Sequence, residues 1–175
     1  LTADINMAAE RLPPLEIMKK LVSFPTVSRD SNLALVAWVE DYLATHGIEA
    51  HRKYDETGEK AALFAHVGPL IEGGLVLSGH TDVVPVDGQE WDSDPWNVIE
   101  VDGKYIGRGV CDMKGFDALA IWALVEAHNR NVKRPLQLAL SYDEEVGCKG
   151  APPMIGRMLE VLPKASAVIA VSYTH

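Results

Sequence analysis

Predicted helices alternate with short apolar strands along almost the whole chain, and this alternation restricts the fold more than any other sequence feature. Residues 75–77 are apolar on both faces and follow Gly73 and Gly74, as is typical of an interior strand in a sheet that helices cover. The most regular helix begins just after Asp112 and continues to about Asn129, because its apolar residues recur at helical spacing. The alternation predicts an α/β fold.

Proline, glycine and capping residues place the other predicted elements. The second helix is expected to begin at an N-cap on Asp30 or Ser31 and to end at a left-handed Gly47. Residues 84–109 are rich in Gly, Pro, Asp and Trp, which predicts a long structured loop with short strands. The remaining predictions are helices over residues 13–24 and 153–161, and strands over residues 48–54, 60–67, 74–78, 136–142 and 166–171.

The balance of charge excludes several classes of partner. The 175 residues contain 16 Lys and Arg against 25 Asp and Glu, a formal net charge of -9. No basic stripe is present in the sequence that could neutralise nucleic-acid phosphates, and a negative field repels anionic lipid surfaces. We therefore expect neither a nucleic-acid partner nor a membrane partner.

The cysteines and the first residues indicate a compartment. Cys111 and Cys148 are far apart and form no CxxC pair, so neither a disulfide scaffold nor a thiolate zinc finger is expected. Asp4 and Glu10 occupy the region where a signal peptide would be basic and then apolar. Apolar runs are too short to cross a bilayer. We expect one cytoplasmic domain.

Three acidic or histidine clusters lie where a predicted strand ends or a predicted helix begins, which is where ligand sites form in α/β sheets. His80 and Asp82 are two residues apart, so in extended chain they face the same side. An imidazole that binds a metal through one nitrogen can donate its other N–H to the carboxylate. The alternative is a hydrogen-bonded His–Asp pair in a turn.

The second and third clusters are acidic. Asp112 precedes the most regular helix, where its two carboxylate oxygens could bridge cations about 3.5–4 Å apart, the alternative being a helix N-cap. Glu144 and Glu145 are neighbours at a strand end, so their side chains should diverge. One could then bind a cation while the other acts as general base on water, the alternative being a solvated acidic turn.

The three clusters together indicate metal-dependent chemistry. Many oxygen and imidazole groups are costly to gather without cations that neutralise them. Donors without thiolate suit Zn²⁺, Mn²⁺ or Co²⁺, and zinc is the first expectation. Cys111, beside Asp112, is expected to be a small packed residue rather than a ligand.

Three motifs resemble those of one enzyme family. They are S-G-H-T-D-V-V-P-V-D-G-Q from Ser78, G-R-G-V-C-D-M-K-G-F from Gly107 and D-E-E-V-G-C-K-G from Asp143. In this order they resemble the co-catalytic zinc family of acetylornithine deacetylase, succinyl-diaminopimelate desuccinylase, aminoacylase and glutamate carboxypeptidase. Residues 84–96 are most similar to the acetylornithine deacetylase branch. The resemblance implies a zinc-peptidase-like catalytic domain with a mixed, largely parallel sheet and helices on both faces.

The resemblance also implies a role for each site residue. His80 would bind one metal and Asp82 would orient it, while Asp112 would bridge both metals and Glu145 would bind the second. Glu144 would be the general base that takes a proton from the attacking water and passes it to the departing amine. The implied substrate is N-acetylornithine, a small N-acyl amino acid of arginine biosynthesis. The implied cofactor is one or two zinc ions, with Co or Mn as substitutes.

The resemblance is incomplete near the end of the sequence. In the family a Gly-(Glu or Asp)-Pro turn completes the first metal site, whereas here Val171 is followed by Ser-Tyr-Thr and His175. His175 is the nearest residue that could replace that acid. The family's dimerisation domain and C-terminal return are also absent. We expect residues 1–175 to be the N-terminal portion of a catalytic domain, inactive alone and homodimeric at full length.

The sequence leaves two other functions open. One is a truncated module that binds a metal or a partner chain without catalysis. The other is a two-metal phosphoesterase, since similar clusters also hold phosphoryl oxygens. The sequence shows no Gly-rich phosphate loop or Arg cluster beside these residues, which disfavours the phosphoesterase.

Overall fold

A computed structural model describes residues 10–171 of the chain. Among these residues it contains helices α1 (Pro14–Val22), α2 (Leu33–Thr45), α3 (Lys114–Asn129) and α4 (Ala151–Val161), and strands β1 (Ala50–Tyr54), β2 (Ala61–Val67), β3 (Leu75–His80), β4 (Ile99–Val101), β5 (Lys104–Ile106), β6 (Leu136–Ser141) and β7 (Ala167–Ala170). No helix of the described part is long and apolar enough to cross a membrane. His175 lies outside the described residues.

The main sheet is mixed and has five strands in the order β1-β2-β6-β3-β7. Strand β2 is antiparallel to both of its neighbours, β1 and β6, and β3 is parallel to β6 and β7. Four strands therefore share one direction and β2 alone opposes them. The predicted mixed, largely parallel sheet is confirmed. A separate β4–β5 hairpin provides the short strands expected in the long loop.

Helices cover both faces of this sheet, as predicted. Because side chains alternate along a strand, Leu63 and Ala65 of β2 point into a core shared with α1, α2 and α3, whereas Ala62 and Phe64 pack with α4. The first core includes Ile17, Leu21, Leu35, Val39, Leu43, Ile121 and Leu124, and the second includes Met154 and Met158. Burial on two sides explains why β2 and β3 read as apolar runs rather than alternating ones.

The start of α2 differs from the prediction. Its N-cap is Asn32, not Asp30 or Ser31, and the Asn32 side chain makes no capping hydrogen bond, although Ser31 Oγ accepts the N–H of Leu33 at 3.3 Å. The Asn32 amide instead donates to the Ala61 carbonyl and accepts from the Ala61 N–H. The end of α2 agrees with the prediction, since Gly47 follows it with φ of 75°. The side chain of Asn32 therefore makes a long-range contact with β2 rather than a local cap.

The parallel pairing of β3 and β6 positions the site. Their register places His80 opposite Ser141, so both strands end at the same edge of the sheet. The residues that follow each strand, 81–82 and 142–145, are therefore neighbours although about 60 positions separate them. The segment before α3 also lies at this edge of the sheet, as the contact between its residue Asp112 and His80 shows.

Candidate metal centre

His80 and Asp82 form the buried base of the site. They are 4% and 2% exposed. The Nδ1 atom of His80 lies 2.9 Å from the backbone carbonyl oxygen of Asp82 and 3.5 Å from its Oδ1. Thr81 points the other way and donates to the Ser141 carbonyl. The two side chains therefore share a side, as the period of extended chain predicts.

Asp112 faces the other nitrogen of the same imidazole. Its Oδ1 lies 3.1 Å from His80 Nε2, and its side chain is 52% exposed. The N-cap of α3 is Met113, so Asp112 does not cap the helix. Close packing of the chain here requires glycine at Gly115, because a Cβ would lie 2.3 Å from the Val110 carbonyl oxygen. Cys111 is exposed, so its predicted packing is wrong; it lies in a turn beside the exposed Asp112, whereas Met113 is buried.

Glu144 and Glu145 converge with His80. Glu144 Oε2 lies 3.6 Å from His80 Nε2, and one ligand atom from each of the three residues lies within 4.8 Å of the others. The prediction that the two glutamates diverge is wrong. The chain leaves extended geometry at Asp143, whose φ is 55°, so the rule that neighbouring strand residues face opposite sides no longer applies.

Asp82 connects the histidine to the acidic turn, which we define as residues 143–145. Its Oδ1 accepts the backbone N–H of Glu144 at 3.0 Å, and its Oδ2 accepts the N–H of Glu145 at 3.3 Å. Ser28 Oγ donates to the same Oδ2 at 2.6 Å. No motif or spacing in the sequence marks Ser28, because it lies 54 positions from Asp82 along the chain.

The charges of these groups act strongly on one another. Burial alone lowers the pKa of His80, but the hydrogen bond and charge of Asp82 and the charge of Asp117 outweigh it and raise the pKa to about 9. Burial, followed by the charge of Asp112, raises the pKa of Glu145. The site therefore gathers more negative charge than His80 alone can neutralise.

A buried pair that the sequence did not reveal lies behind the site. Lys114 and Asp117 are 0% and 1% exposed, and Lys114 Nζ donates to the Phe24 carbonyl at 2.7 Å. Burial lowers the pKa of Lys114 to about 7 and raises that of Asp117 well above its usual range. Within the described part of the chain, Asp117 Oδ1 has no hydrogen-bond partner.

The donor set fits divalent cations. An imidazole nitrogen and carboxylate oxygens from His80, Glu144 and Glu145 converge, and Asp112 reaches the same imidazole nitrogen. Nitrogen and oxygen donors of this kind suit Zn²⁺, Mn²⁺ or Co²⁺. A cation among these groups would also offset the repulsion from Asp112 that adds to burial in raising the pKa of Glu145.

Comparison with known families agrees with this geometry. Residues 76–174 match peptidase family M20/M25/M40, and this span includes His80, Asp82, Asp112, Glu144 and Glu145. The chain belongs to this family. As an M20 chain it has the fold of metal-dependent hydrolases, so the resemblance expected from the three motifs is confirmed at the level of the family.

Solved structures of other M20 proteins share the fold. The chain superimposes on an M20 metallo-carboxypeptidase from Sulfolobus solfataricus with a TM-score of 0.78 and 20% identity, covering 90% of this chain and 37% of that one. It superimposes on human carnosine dipeptidase 1 with a TM-score of 0.74 and 20% identity, covering 91% of this chain and 38% of that one. The Bacillus subtilis YXEP protein is described as a dinuclear metal-binding M20 peptidase. It superimposes with a TM-score of 0.60 and 19% identity, covering 89% of this chain and 40% of that one. This M20 chain thus spans about two fifths of their lengths.

Proposed function

We propose that the chain is the N-terminal portion of the catalytic domain of a metal-dependent amide hydrolase, and that its substrate is N-acetylornithine. The observation that supports this most is the convergence of His80, Asp112, Glu144 and Glu145 at one edge of the sheet. The similarity of residues 84–96 to acetylornithine deacetylases supports the choice of substrate. The products would be acetate and ornithine.

In this proposal each acidic residue has a separate task. His80 and Asp112 would hold one divalent cation, and Asp112 and Glu145 would hold a second. When bound, such cations act as Lewis acids on the acyl carbonyl and make water more acidic. Asp82 holds the imidazole of His80 in place through the contacts of its carbonyl and carboxylate with Nδ1. Zinc is the proposed metal, with Co or Mn as substitutes.

Glu144 is the proposed general base. Its side chain is 42% exposed, so water and substrate can reach the carboxylate, whereas that of Asp82 is buried. Glu144 takes a proton from water as the oxygen bonds to the acyl carbon. It then donates this proton to the amine nitrogen as the C–N bond breaks. One water is consumed and the carboxylate is regenerated.

Hydrolysis of a dipeptide is the second candidate. The superpositions on a metallo-carboxypeptidase and on carnosine dipeptidase 1 favour it, and the same residues could perform it because a peptide bond is also a secondary amide. The two candidates differ in the group attached to the carbonyl carbon, which is a methyl group in N-acetylornithine and an α-aminoalkyl group in a dipeptide. Competing substrates supplied to one enzyme sample therefore distinguish them.

The test is an assay of the full-length protein with Zn²⁺ or Co²⁺ on N-acetylornithine, on a dipeptide and on a phosphate ester. We expect the acetyl amide to give the highest kcat/KM and Glu144→Gln to lower kcat by about 10² to 10⁴. Glu56→Gln is the matched control, since Glu56 is exposed in the β1–β2 hairpin.

Other outcomes would reject the proposal in distinct ways. Preference for the dipeptide would replace the substrate and keep the mechanism, and preference for the phosphate ester would reject amide chemistry. Metal binding without turnover of any substrate would favour a non-catalytic module. Full activity in Glu144→Gln would reject the assigned base.

A further inference from the structure

We infer that Lys60 is a positioning residue for the proposed reaction, and that it acts by joining the acidic turn to the loop that contains Ser28. This inference rests on the proposed function, because Glu144 and Glu145 lie in that turn. Lys60 immediately precedes β2 and lies outside the residues that match the family. Neither motif spacing nor periodicity in the sequence marks it.

Two contacts join Lys60 to the site. Its Nζ lies 2.5 Å from Asp143 Oδ1, and it also donates to the backbone carbonyl of Ser28. The Lys60 and Asp143 side chains are only 16% and 12% exposed. Water and salt screen such a pair less than they screen a surface ion pair, so it can hold the turn in place.

These contacts belong to a closed ring of interactions. Ser28, which accepts from Lys60, donates its own hydroxyl to Asp82 Oδ2. Asp82 accepts the backbone N–H groups of Glu144 and Glu145. The ring therefore runs from Lys60 through Ser28 and Asp82 to the turn, and returns through Asp143. Lys60 contacts both the acidic turn, through Asp143, and the loop that contains Ser28.

The acidic turn needs such support. Asp143 has φ of 55°, in the left-handed region that costs energy for a residue other than glycine. The next two residues bring carboxylates close to each other and to His80, and like charges at this separation repel. Among the described residues, Lys60 is the lysine that pairs with a member of the turn, whereas His80 contacts the turn at Glu144.

The experiment measures Co²⁺ binding and turnover of the full-length protein for wild type, Lys60→Met, Lys60→Arg, Asp143→Asn and the double variant. Lys53→Met is the matched control: it removes the same charge from the adjacent strand β1, and among the described residues Lys53 forms no ion pair with the turn. Readouts are kcat, KM, Co²⁺ affinity, the Co²⁺ visible absorption spectrum and Tm.

We expect Lys60→Met to lower kcat about tenfold or more, with KM changed less than about twofold, and to weaken Co²⁺ binding about tenfold, the range for loss of residues that orient ligands. The Co²⁺ spectrum should change as well. Lys60→Arg should recover most of the activity, the double variant should be no worse than the worse single variant, and Lys53→Met should match wild type.

Wild-type Co²⁺ affinity, spectrum and kcat in Lys60→Met would overturn the inference. An equal loss in Lys53→Met would also overturn it, since the effect would then be one of net charge. If wild type does not hydrolyse N-acetylornithine, the proposed function fails, while Co²⁺ affinity and spectrum still decide the role of Lys60. If Lys60→Met does not fold, Asp143→Asn replaces it, and wild-type Co²⁺ binding in that variant overturns the inference.

Discussion

The carboxylate of Asp82 accepts the backbone N–H of Glu144 at 3.0 Å, and this bond joins the ends of β3 and β6. The same carboxylate also lies 3.5 Å from His80 Nδ1. One buried side chain therefore orients a histidine and positions a turn that contains two glutamates. Because the N–H donors belong to the backbone, the sequence of motifs could suggest the first role of Asp82 but not the second.

Replacing Asp82 should weaken metal binding through both roles. Asp82→Asn keeps the size of the side chain but removes its charge and substitutes a donor for one acceptor oxygen, so the N–H groups of Glu144 and Glu145 cannot both be satisfied. We expect metal affinity to fall about 10- to 100-fold, measured by calorimetric titration with Zn²⁺. Asp92→Asn, in the exposed loop, is the control. Unchanged affinity in Asp82→Asn would contradict this role.

Gly79 should tolerate no side chain. An added Cβ would lie 1.9 Å from Asp117 Oδ1, and Asp117 is wholly buried, so neither side can move away freely. We expect Gly79→Ala to lower the free energy of unfolding by about 1–3 kcal/mol, as overpacking does, in urea denaturation. Gly156→Ala is the matched control. Its Cβ meets no atom within 4 Å in α4, so it should stabilise by about 0.5–1 kcal/mol. Equal changes in the free energy of unfolding for Gly79→Ala and Gly156→Ala would contradict the packing argument.

The elements that sequence predicted well are those that local pattern determines. Strand β3 and helix α3 were predicted because apolar periodicity and flanking glycines are properties of neighbouring residues. The closeness of His80 to the acidic turn follows from the rule that strand ends meet at one edge, while the roles assigned to His80, Asp112 and Glu144 stay predictions. The convergence of Glu144 with Glu145 was missed, because it depends on the left-handed conformation of Asp143.

Contacts between distant residues account for the rest of what sequence did not predict. The Asn32 side chain does not cap α2, because its amide pairs with the backbone of Ala61. Lys60 contacts Asp143 although 83 positions of the chain separate them, and no pattern in either segment predicts the pair. The burial of Lys114 was equally invisible, since a lysine beside a helix start is normally exposed. Such contacts exist only once the sheet has brought the segments together.

The stability of the metal-free protein should depend on pH through His80. The pKa of His80 is raised to about 9, above the ordinary value of 6.5, so the protonated form stabilises the folded chain. This contribution is complete below pH 6.5 and is lost as pH rises through about 9. In EDTA, wild type should exceed His80→Asn in unfolding free energy by up to about 3 kcal/mol at low pH, and the difference should shrink toward pH 10.

The difference between the two proteins isolates His80. Lys114, whose pKa is lowered to about 7, destabilises the fold increasingly as pH falls from its ordinary 10.5 toward 7, which is the opposite trend. Both proteins contain Lys114, so subtraction removes most of its effect. Urea denaturation at pH 6, 7.5, 9 and 10 provides the measurement. A difference that stays constant across this series would contradict the assignment.

Metal stoichiometry should separate the proposed bridging carboxylate from the carboxylate that binds one ion. Asp112 Oδ1 lies 3.1 Å from His80 Nε2, and after burial its charge contributes to the raised pKa of Glu145, so it is near the groups assigned to both ions. In the full-length protein we expect about two zinc ions for wild type, about one for Glu145→Ala and almost none for Asp112→Ala, because a bridging ligand serves both ions. Elemental analysis after dialysis provides the count, with Asp92→Ala as the control. Equal losses in Asp112→Ala and Glu145→Ala would show that Asp112 does not bridge, and two retained ions in Asp112→Ala would show that it is not a ligand.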